Sequence, residues 1–281
     1  MKSFLMGLAL LAGALAGPAA AVDEVAGMVL DVQGNSNVQR EGARSKVQLL
    51  DYLTAPTRLV LEADARVSLS HYKARRLYRL TGPAQVLVGA DQVQVLQGPP
   101  ASSQALAEPA RQGTPGSGAT PAAVKMRGLG PEVRLGSPAA NGVVLDLRPE
   151  FQWEAVEPSS YQVSVVELPQ RVVASGSSER RGWQLPAGVA LEPGKDYRWI
   201  VSYRSAADGM LRTASAEFRV ASADESGSMQ RLRPAPGAAV DEWVWYATIL
   251  REHQMYDEAR RAWQAIAARR PDLADAHSLA R

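Results

Sequence analysis

The sequence contains no cysteine, and among its 281 residues only three are histidine and three are phenylalanine. The absence of cysteine excludes disulfide bonds, thiolate metal sites, a cysteine nucleophile and a lipid-modified N-terminal cysteine. The histidines, His71, His253 and His277, lack the short spacings of a metal-binding motif. The stability of the chain must therefore come from ordinary apolar cores.

Neither sign of charge dominates the chain, since 31 Lys and Arg face 29 Asp and Glu, a net charge of +2. A protein that binds nucleic acid needs a concentrated basic surface, so we expect no nucleic-acid partner. A hydrophobic content of 46% and a charged content of 21% are typical of globular proteins and exclude wholesale disorder. The length suggests about two domains.

The one long apolar run lies near the N-terminus, at residues 4–16, and follows a single lysine. It is too short to span a membrane, which takes about 20 apolar residues. A helix-breaking Gly17-Pro18 and small residues follow it, as in a secretory signal peptide. The sequence therefore predicts a signal peptide over 1–21 that is cleaved after Ala21, a periplasmic location, and no transmembrane segment after signal removal.

Composition divides the remaining chain into four pieces. Residues 24–97 and 133–221 alternate apolar and polar residues between turn residues, which predicts antiparallel β modules. Residues 98–131 are rich in Pro, Ala, Ser and Gly and bury too little apolar area to offset the entropy of ordering, so they are predicted to form a mobile linker. Residues 238–281 change to helical periodicity. The predicted fold class is mainly β with a small α C-terminus.

Two sets of motifs characterise the first β piece: Gly27-x-Val29 with Gly34 and Val38-x-Arg40, then Val67-x-Leu69 with Leu77-x-x-Leu80-x-Gly82-Pro83. They resemble the FecR domain, a periplasmic β module of sensor proteins and of standalone exported proteins. The usual Gly-Asp before the middle strands is absent, and Leu50-Asp51-Tyr52-Leu53 stands nearby. The resemblance implies a FecR-like module over 24–97. It does not extend to sigma-factor signalling, because this sequence shows neither the membrane helix nor the anti-sigma region.

The second β piece has about seven predicted strands in about ninety residues, which fits a two-sheet sandwich. Its Leu191-x-Pro193-Gly194-x-x-Tyr197 run is similar to the tyrosine corner of fibronectin type III-like domains. In such a corner the tyrosine ring is buried and its hydroxyl bonds to nearby backbone. The resemblance implies a fibronectin type III-like sandwich over 133–221, with Trp153 in its core. A generic Pro-Gly turn before a strand remains the alternative.

The C-terminal piece repeats one helical spacing. Trp243, Ala247 and Leu250 lie at i, i+4 and i+7, and Ala259, Trp263 and Ile266 repeat that spacing. With Tyr256 between the helices and Pro271 after them, the pattern resembles one tetratricopeptide repeat, with Gln254 at the usual glycine position. The implied helical hairpin over 238–281 has a candidate packing or partner face of Trp243, Ala247, Leu250, Tyr256, Ala259 and Trp263. Because one repeat cannot bury its own face, we expect it to dock on the sandwich or on another protein.

No residue pattern typical of catalysis is present. The sequence lacks the Gly-x-Ser-x-Gly and Ser-x-x-Lys motifs of activated serines and the glycine motifs that cradle phosphates. We expect His71 to be an exposed residue at a strand end and His253 to lie at a helix end. Six carboxylates are available for a glycosidase pair, but the sequence links no two of them: Asp51, Glu62, Asp64, Asp146, Glu150 and Glu154. We expect no enzyme activity, no cofactor and no bound metal.

One basic cluster, Lys73, Arg75 and Arg76, lies between Tyr72 and Tyr78. It is a candidate contact for an anionic polymer such as peptidoglycan, although a solvated strand end is the simpler interpretation. The leading hypothesis is an exported, non-catalytic binding or scaffold protein of the bacterial periplasm, with envelope proteins or an anionic glycan as partners. The alternatives are a ligand-sensing component of a FecR-like envelope signalling system and an accessory protein or enzyme acting on cell-wall carbohydrate.

Overall fold

A computed structural model describes residues 24–40, 42–107, 133–157 and 159–280. The predicted signal peptide, its cleavage after Ala21 and most of the predicted linker lie outside the described residues. The described chain is mostly β, with several antiparallel sheets and a small helical part at the C-terminal end, which confirms the predicted class at that level. Of the helices described, none has both the length and the apolar character needed to span a bilayer.

Ten strands form the first β module: β1 (Val25–Gln33), β2 (Ser36–Arg40), β3 (Ala43–Lys46), β4 (Tyr52–Thr54), β5 (Thr57–Leu61), β6 (Arg66–His71), β7 (Arg76–Thr81), β8 (Ala84–Val88), β9 (Val93–Gln97) and β10 (Ser102–Ala105). They pair into two five-stranded antiparallel sheets of order β10-β7-β6-β1-β4 and β3-β2-β5-β8-β9. Alternation gives the inner strands a buried face, as in β5, where Leu59 and Leu61 are buried and Arg58 is exposed.

Two glycines of the first module lie where strands approach closely. A Cβ on Gly82 would stand 1.7 Å from the carbonyl oxygen of Glu62, and a Cβ on Gly27 would stand 2.0 Å from that of Ser70. Both neighbours are backbone oxygen atoms, so any larger residue would push the two chain segments apart. The two glycines are therefore required for the observed packing.

Strand β10 corrects the predicted linker boundary. The prediction of a linker from residue 98 was wrong at Ser102–Ala105, which pair antiparallel with β7. Arg76 supports this pairing by donating hydrogen bonds to the side-chain and backbone oxygens of Ser103. The side chains of β10 are largely exposed, so its stability comes from main-chain hydrogen bonds to β7, which composition and hydrophobic alternation do not reveal.

Eight strands form the second β module: β11 (Val133–Ser137), β12 (Gly142–Val144), β13 (Glu150–Ala155), β14 (Tyr161–Glu167), β15 (Arg171–Ser178), β16 (Gly182–Gln184), β17 (Asp196–Arg204) and β18 (Leu211–Val220). One sheet has the order β11-β13-β16 and the other β12-β18-β17-β14-β15. The pairs are antiparallel except β12 with β18, which is parallel. Buried aromatic residues, including Phe151, Trp153 and Trp199, fill the space between the sheets.

Four helices follow: α1 (Ala223–Leu232), α2 (Val240–Glu252), α3 (Tyr256–Arg269) and α4 (Ala274–Leu279). Helix α1 was not predicted, because Met229 is its only buried residue and no apolar stripe marks it. Its start is nevertheless encoded by a capping box, in which the Ser222 side chain accepts from the Glu225 N–H and the Glu225 carboxylate accepts from the Ser222 N–H.

Helices α2 and α3 form a helical hairpin that packs on both β modules. Helix α2 contacts β1 and β6 of the first module, and α3 contacts β12 of the second. A single apolar cluster unites Met28 and Leu77 of the first module, Val143 of the second, and the helices. We call this cluster the shared core. The hairpin thus docks within the chain, and on both modules rather than on the sandwich alone.

Candidate functional site

The shared core occupies most of the candidate face of the helical hairpin. Ala247, Leu250, Ala259 and Trp263 are buried in it, and Trp243 packs partly buried against it. Of the six predicted residues Tyr256 alone is classed as exposed, and a Cβ on Gly142 would lie 3.4 Å from its ring. The face is therefore a packing surface within this chain, and four of its six residues are not available to a partner.

An arginine of the first module anchors helix α2. The guanidinium of Arg79 on β7 donates to both carboxylate oxygens of Asp241, at 2.6 and 2.9 Å, and to Glu242 at 3.0 Å. The Asp241 side chain is only 4% exposed, while that of Arg79 is 34% exposed. The hydrogen bond to Asp241 is the main cause of the raised pKa of Arg79. This bidentate, charge-assisted contact fixes both the position and the orientation of the helix.

A second arginine anchors the end of helix α3 to the first module. Arg270 donates to Asp31 of β1 at 2.6 Å and to the carbonyl oxygen of Val32 at 3.1 Å. It also pairs with Asp272, and that hydrogen bond is the main cause of the raised pKa of Arg270. The Arg270 and Asp31 side chains are each 14% exposed, so water screens this pair only weakly.

The start of α3 is attached to the second module through backbone groups. The Val143 N–H donates to the carbonyl oxygen of Gln254 at 2.9 Å, and the Ala139 N–H donates to the Asp257 carboxylate at 3.1 Å. The Leu145 N–H donates to Glu258, whose pKa is raised by burial. Acidic side chains in the first turn of α3 thus accept hydrogen bonds from N–H groups around β12. They also interact favourably with the positive end of the helix dipole.

Gln254 adopts the left-handed conformation at the turn of the helical hairpin, with φ of 61°, and its side chain is exposed. A Cβ in this region costs about 1–2 kcal/mol, and glycine avoids that cost. Glycine also has more freedom in the unfolded chain, which offsets part of the gain. We expect Gln254→Gly to raise the free energy of unfolding by about 0.5–1 kcal/mol, measured by urea denaturation.

The control for this prediction is Gln254→Ala, which shortens the side chain but keeps the Cβ. We expect its stability to stay within about 0.5 kcal/mol of the parent. Equal stability of the glycine and alanine variants would show that the turn stores no backbone strain.

Two neighbouring clefts lie beside α3: the first is formed by α2, α3 and the segment after β12, and the second lies between α3 and the second module. The first has a volume of about 370 Å³ and is mainly apolar, with Trp243, Tyr246 and Leu250 in its wall. The second, of about 540 Å³, is mainly polar, with Arg148, Gln152 and Gln184 on its sandwich side and Arg260 and Gln264 on its helical side. Both volumes are typical of ligand pockets.

The clefts share three lining residues, Asp146, Glu258 and Arg261. Glu258 is already engaged by the Leu145 N–H and by Arg261, at 2.9 Å. No histidine lines either cleft, and the described part of the chain contains no group of His, Asp and Glu residues suited to a metal ion. The arrangement suits binding through apolar and polar contacts.

The basic cluster is partly neutralised by its own chain. Lys73 forms an ion pair with Asp91 at 2.5 Å, which raises the pKa of Lys73 and lowers that of Asp91. Arg76 is bonded to Ser103 through both Nε and Nη2. An anionic polymer would have to compete with these contacts at two of the three predicted positions.

The prediction of an exposed His71 is wrong, because its side chain is buried in the first module. Its Nε2 lies 2.9 Å from the carbonyl oxygen of Gly89, and its Nδ1 accepts the Ala74 N–H at 3.1 Å. Strand β6 lies between β1 and β7, so its last residue is covered by neighbouring chain that the sequence pattern did not place. Both ring nitrogens are occupied, which makes His71 a structural cross-link. His253 follows α2 directly, at the predicted helix end.

The candidate tyrosine corner lies at the start of β17. Tyr197 is fully buried, and its hydroxyl accepts the N–H of Glu192 at 2.8 Å. Burial is the main cause of its raised pKa. Leu191 is buried beside it, and Gly194, which follows Pro193, has φ of 76°, a conformation that suits glycine. The ring and the hydroxyl together connect the turn to the core of the sandwich.

Neither protein-family models nor curated proteins match this chain. The resemblances to FecR, fibronectin type III-like and tetratricopeptide modules therefore rest on the residues quoted above and on their geometry.

Proposed function

We propose that this protein is an exported, non-catalytic binding protein of the bacterial periplasm, in which the helical hairpin holds two β modules in a fixed arrangement for envelope partners. The observation that carries the proposal is the shared core, which joins both β modules to α2 and α3. Because the apolar face of the helical hairpin is buried against both β modules, the hairpin connects the two modules within the chain. Partner contacts are then assigned to the β modules and to the clefts beside α3.

The modules themselves are proposed as FecR-like, fibronectin type III-like and tetratricopeptide-type. Close strand approach at Gly27 and Gly82 supports the first, since both glycines belong to its motifs. The buried Tyr197 with its backbone hydrogen bond supports the second. The left-handed Gln254, at the position where the repeat usually has glycine, supports the third.

A fixed arrangement benefits binding in two ways. A partner that touches both modules pays no entropy for aligning them, because Arg79 and Arg270 already fasten the helices to the first module. Two weak contacts on one rigid body also reinforce each other through effective concentration. We favour an envelope protein over an anionic glycan as the partner, because Lys73 and Arg76 are occupied within the chain.

The test compares the full-length mature protein with a double variant, Arg79→Ala/Arg270→Ala, that loosens the helices from the first module. Each protein is immobilised and titrated with solubilised envelope proteins and, separately, with purified peptidoglycan. We expect saturable retention of a protein partner that weakens in the double variant. The control is Arg198→Ala, which removes an exposed ion pair with Glu217 inside the sandwich sheet and leaves the junction intact.

Two results would contradict the proposal. Equal retention by the parent and the double variant would show that the fixed arrangement is not needed for binding. Release of soluble fragments from peptidoglycan by the purified parent would show that the protein is an enzyme.

A further inference from the structure

The second sheet of the first module has an outer face that carries positive charge and no negative charge. Its five described strands, β3, β2, β5, β8 and β9, contain no Asp or Glu. In β5 the buried Leu59 faces the core, so its exposed neighbour Arg58 points outward. Strand β3 is an edge strand and is exposed along its length. We define the basic sheet face by five outward side chains: Asn37, Gln39, Arg44, Lys46 and Arg58.

The strand register brings these side chains together. Gln39 of β2 lies directly opposite Arg44 of β3 on one side and Arg58 of β5 on the other, and residues opposite each other share a face. Neighbouring strands are about 4.8 Å apart, so the Cα atoms of Arg44 and Arg58 are separated by about 10 Å. Lys46 lies opposite Asn37 and about 7 Å from Arg44 along β3. Three cations are thus interleaved with two amide groups on one surface.

The positive charge of this face is not compensated by neighbouring side chains. None of the five side chains makes a hydrogen bond or an ion pair with the part of the chain that the structure describes. The carboxylate of Glu62, just after β5, accepts a hydrogen bond from Asn35. On the five-stranded sandwich sheet, by contrast, Arg198 pairs with Glu217. A surface with one sign of charge attracts ligands of the other sign, so the basic sheet face favours an anion.

We propose that the basic sheet face binds an anionic polysaccharide in which carboxylated and uncharged sugars alternate. Arg44 and Arg58 each hold one carboxylate through paired N–H groups, the geometry in which a guanidinium binds a carboxylate most strongly. Gln39 between them both donates and accepts hydrogen bonds, which suits the hydroxyl groups of the uncharged sugar. The ligand is thus specified by the alternation of charged and neutral groups across the sheet.

Two other occupants fit this pattern less well. A strand of nucleic acid carries one charge about every 3.4 Å, so it would place charges opposite Gln39 as well as opposite the arginines. A second copy of this chain would bring the cations of two faces together, and like charges directly opposite each other are destabilising.

The inference goes beyond the proposed function, which concerns a protein partner and the fixed arrangement of the modules. The helical hairpin packs on β1, β6 and β12, which belong to other sheets. The basic sheet face is also separate from the cluster of Lys73, Arg75 and Arg76, which adjoins β7 of the other sheet. Variants on the basic sheet face leave Arg79 and Arg270 in place, so failure of polysaccharide binding and failure of the proposed function are distinguishable.

The test uses the full-length mature protein and immobilised hyaluronate, a polysaccharide in which a carboxylated sugar alternates with an uncharged one. We expect saturable binding by surface plasmon resonance that weakens as sodium chloride is added, because salt screens exposed charges. Arg44→Gln and Arg58→Gln each remove one charge-assisted contact and should each raise the dissociation constant about tenfold.

The matched control is Arg134→Gln, which removes the same charge from an exposed position on β11 of the second module. We expect its dissociation constant to equal that of the parent. Circular dichroism checks that the three variants remain folded. A parent that does not bind hyaluronate, or an equal loss in Arg134→Gln and in the two variants of the basic sheet face, would overturn the proposal.

Acetylation of lysine locates the contact in the unsubstituted protein. Lys46 belongs to the basic sheet face, whereas Lys195, with a side chain 50% exposed, lies in the second module. We expect saturating hyaluronate to slow the acetylation of Lys46 by acetic anhydride several-fold and to leave that of Lys195 unchanged, measured by mass spectrometry of peptides. Equal rates at Lys46 with and without hyaluronate would contradict the proposal, because the polysaccharide would then bind elsewhere.

Competing ligands distinguish a polysaccharide from other partners. Polyphosphate has charge without sugar hydroxyls, vesicles of phosphatidylglycerol present an anionic membrane, and dextran has hydroxyls without charge. Each is titrated as a competitor of hyaluronate, and we expect hyaluronate to bind most tightly of the four. A tighter competitor would refute the proposal: polyphosphate would indicate a general anion site, the vesicles a membrane-binding surface and dextran a site for neutral sugars.

Discussion

Replacing Trp263 by alanine is expected to lower the free energy of unfolding by about 3–5 kcal/mol. Trp263 is one of the largest side chains of the shared core and is only 2% exposed. Its indole N–H has no hydrogen-bond partner within the described chain, so the loss is one of packing. Small neighbours such as Ala247 and Ala259 cannot expand to fill the cavity. Urea denaturation followed by far-UV circular dichroism measures the effect.

The control for this prediction is Trp245→Ala, on the same helical hairpin. Trp245 is only partly buried, and its indole N–H donates to the carbonyl oxygen of Ala107 at 3.4 Å. We expect Trp245→Ala to lower the free energy of unfolding by less than half as much as Trp263→Ala does. Equal costs for the two variants would mean that the shared core does not connect the modules as described. A loss of this size is a large part of the total stability of a domain, about 5–15 kcal/mol.

Replacing Arg79 by alanine is expected to lower the free energy of unfolding by about 2–4 kcal/mol. The variant leaves the Asp241 carboxylate buried without its main cation, and a buried unpaired charge is costly. The guanidinium itself is one-third exposed, which places the effect toward the lower end of what a buried pair costs. Hydrogen exchange should also show faster opening of α2, measured by mass spectrometry.

A second substitution separates the cost of the orphaned carboxylate from that of lost packing. We expect Arg79→Ala/Asp241→Ala to be more stable than Arg79→Ala, because the double variant removes the unpaired charge. The control is Arg198→Ala, whose exposed pair with Glu217 should contribute less than about 1 kcal/mol. A single variant at Arg79 that is as mild as Arg198→Ala would contradict a structural role for the junction.

The effects expected for the Trp263 and Arg79 variants have one cause, which is that α2 and α3 pack on both β modules. Deleting the chain after Gly237 would remove α2 and α3 and expose Met28, Leu77 and Val143 to water. Such a truncated protein would test folding and partner binding at once. Point variants at Arg79 and Arg270 give a more specific test than this deletion, because they weaken the junction without exposing its apolar residues to water.

Much of the local structure follows from short-range patterns. Alternation in β5 and helical spacing around Trp243 and Trp263 predicted a mainly β chain with a small α end, and the structure confirms this at that level. The capping box at Ser222 is a local signal for the start of α1 that apolar periodicity does not reveal. These features are local because a strand or helix imposes its own period on the side chains that it buries.

Other features depended on which segments meet in space. His71 is buried because β1 and β7 flank its strand, and β10 exists because β7 offers it hydrogen bonds. The Arg79–Asp241 pair joins residues 162 positions apart, a separation at which no sequence pattern links them. Arg79 occupies a variable position of the Leu77-x-x-Leu80 motif, so the motif did not single it out.

By itself, the sequence determined the two β pieces, the two helices of the hairpin and the need of that hairpin for a cover over its apolar face, but neither α1 nor β10. Only the tertiary structure decided what covers this face. The spacing of apolar residues such as Ala247, Leu250 and Trp263 is the same whether a helix packs on its own chain or on a partner protein. An apolar helix face is buried only when a second surface packs on it, and the sequence of the helix does not identify that second surface.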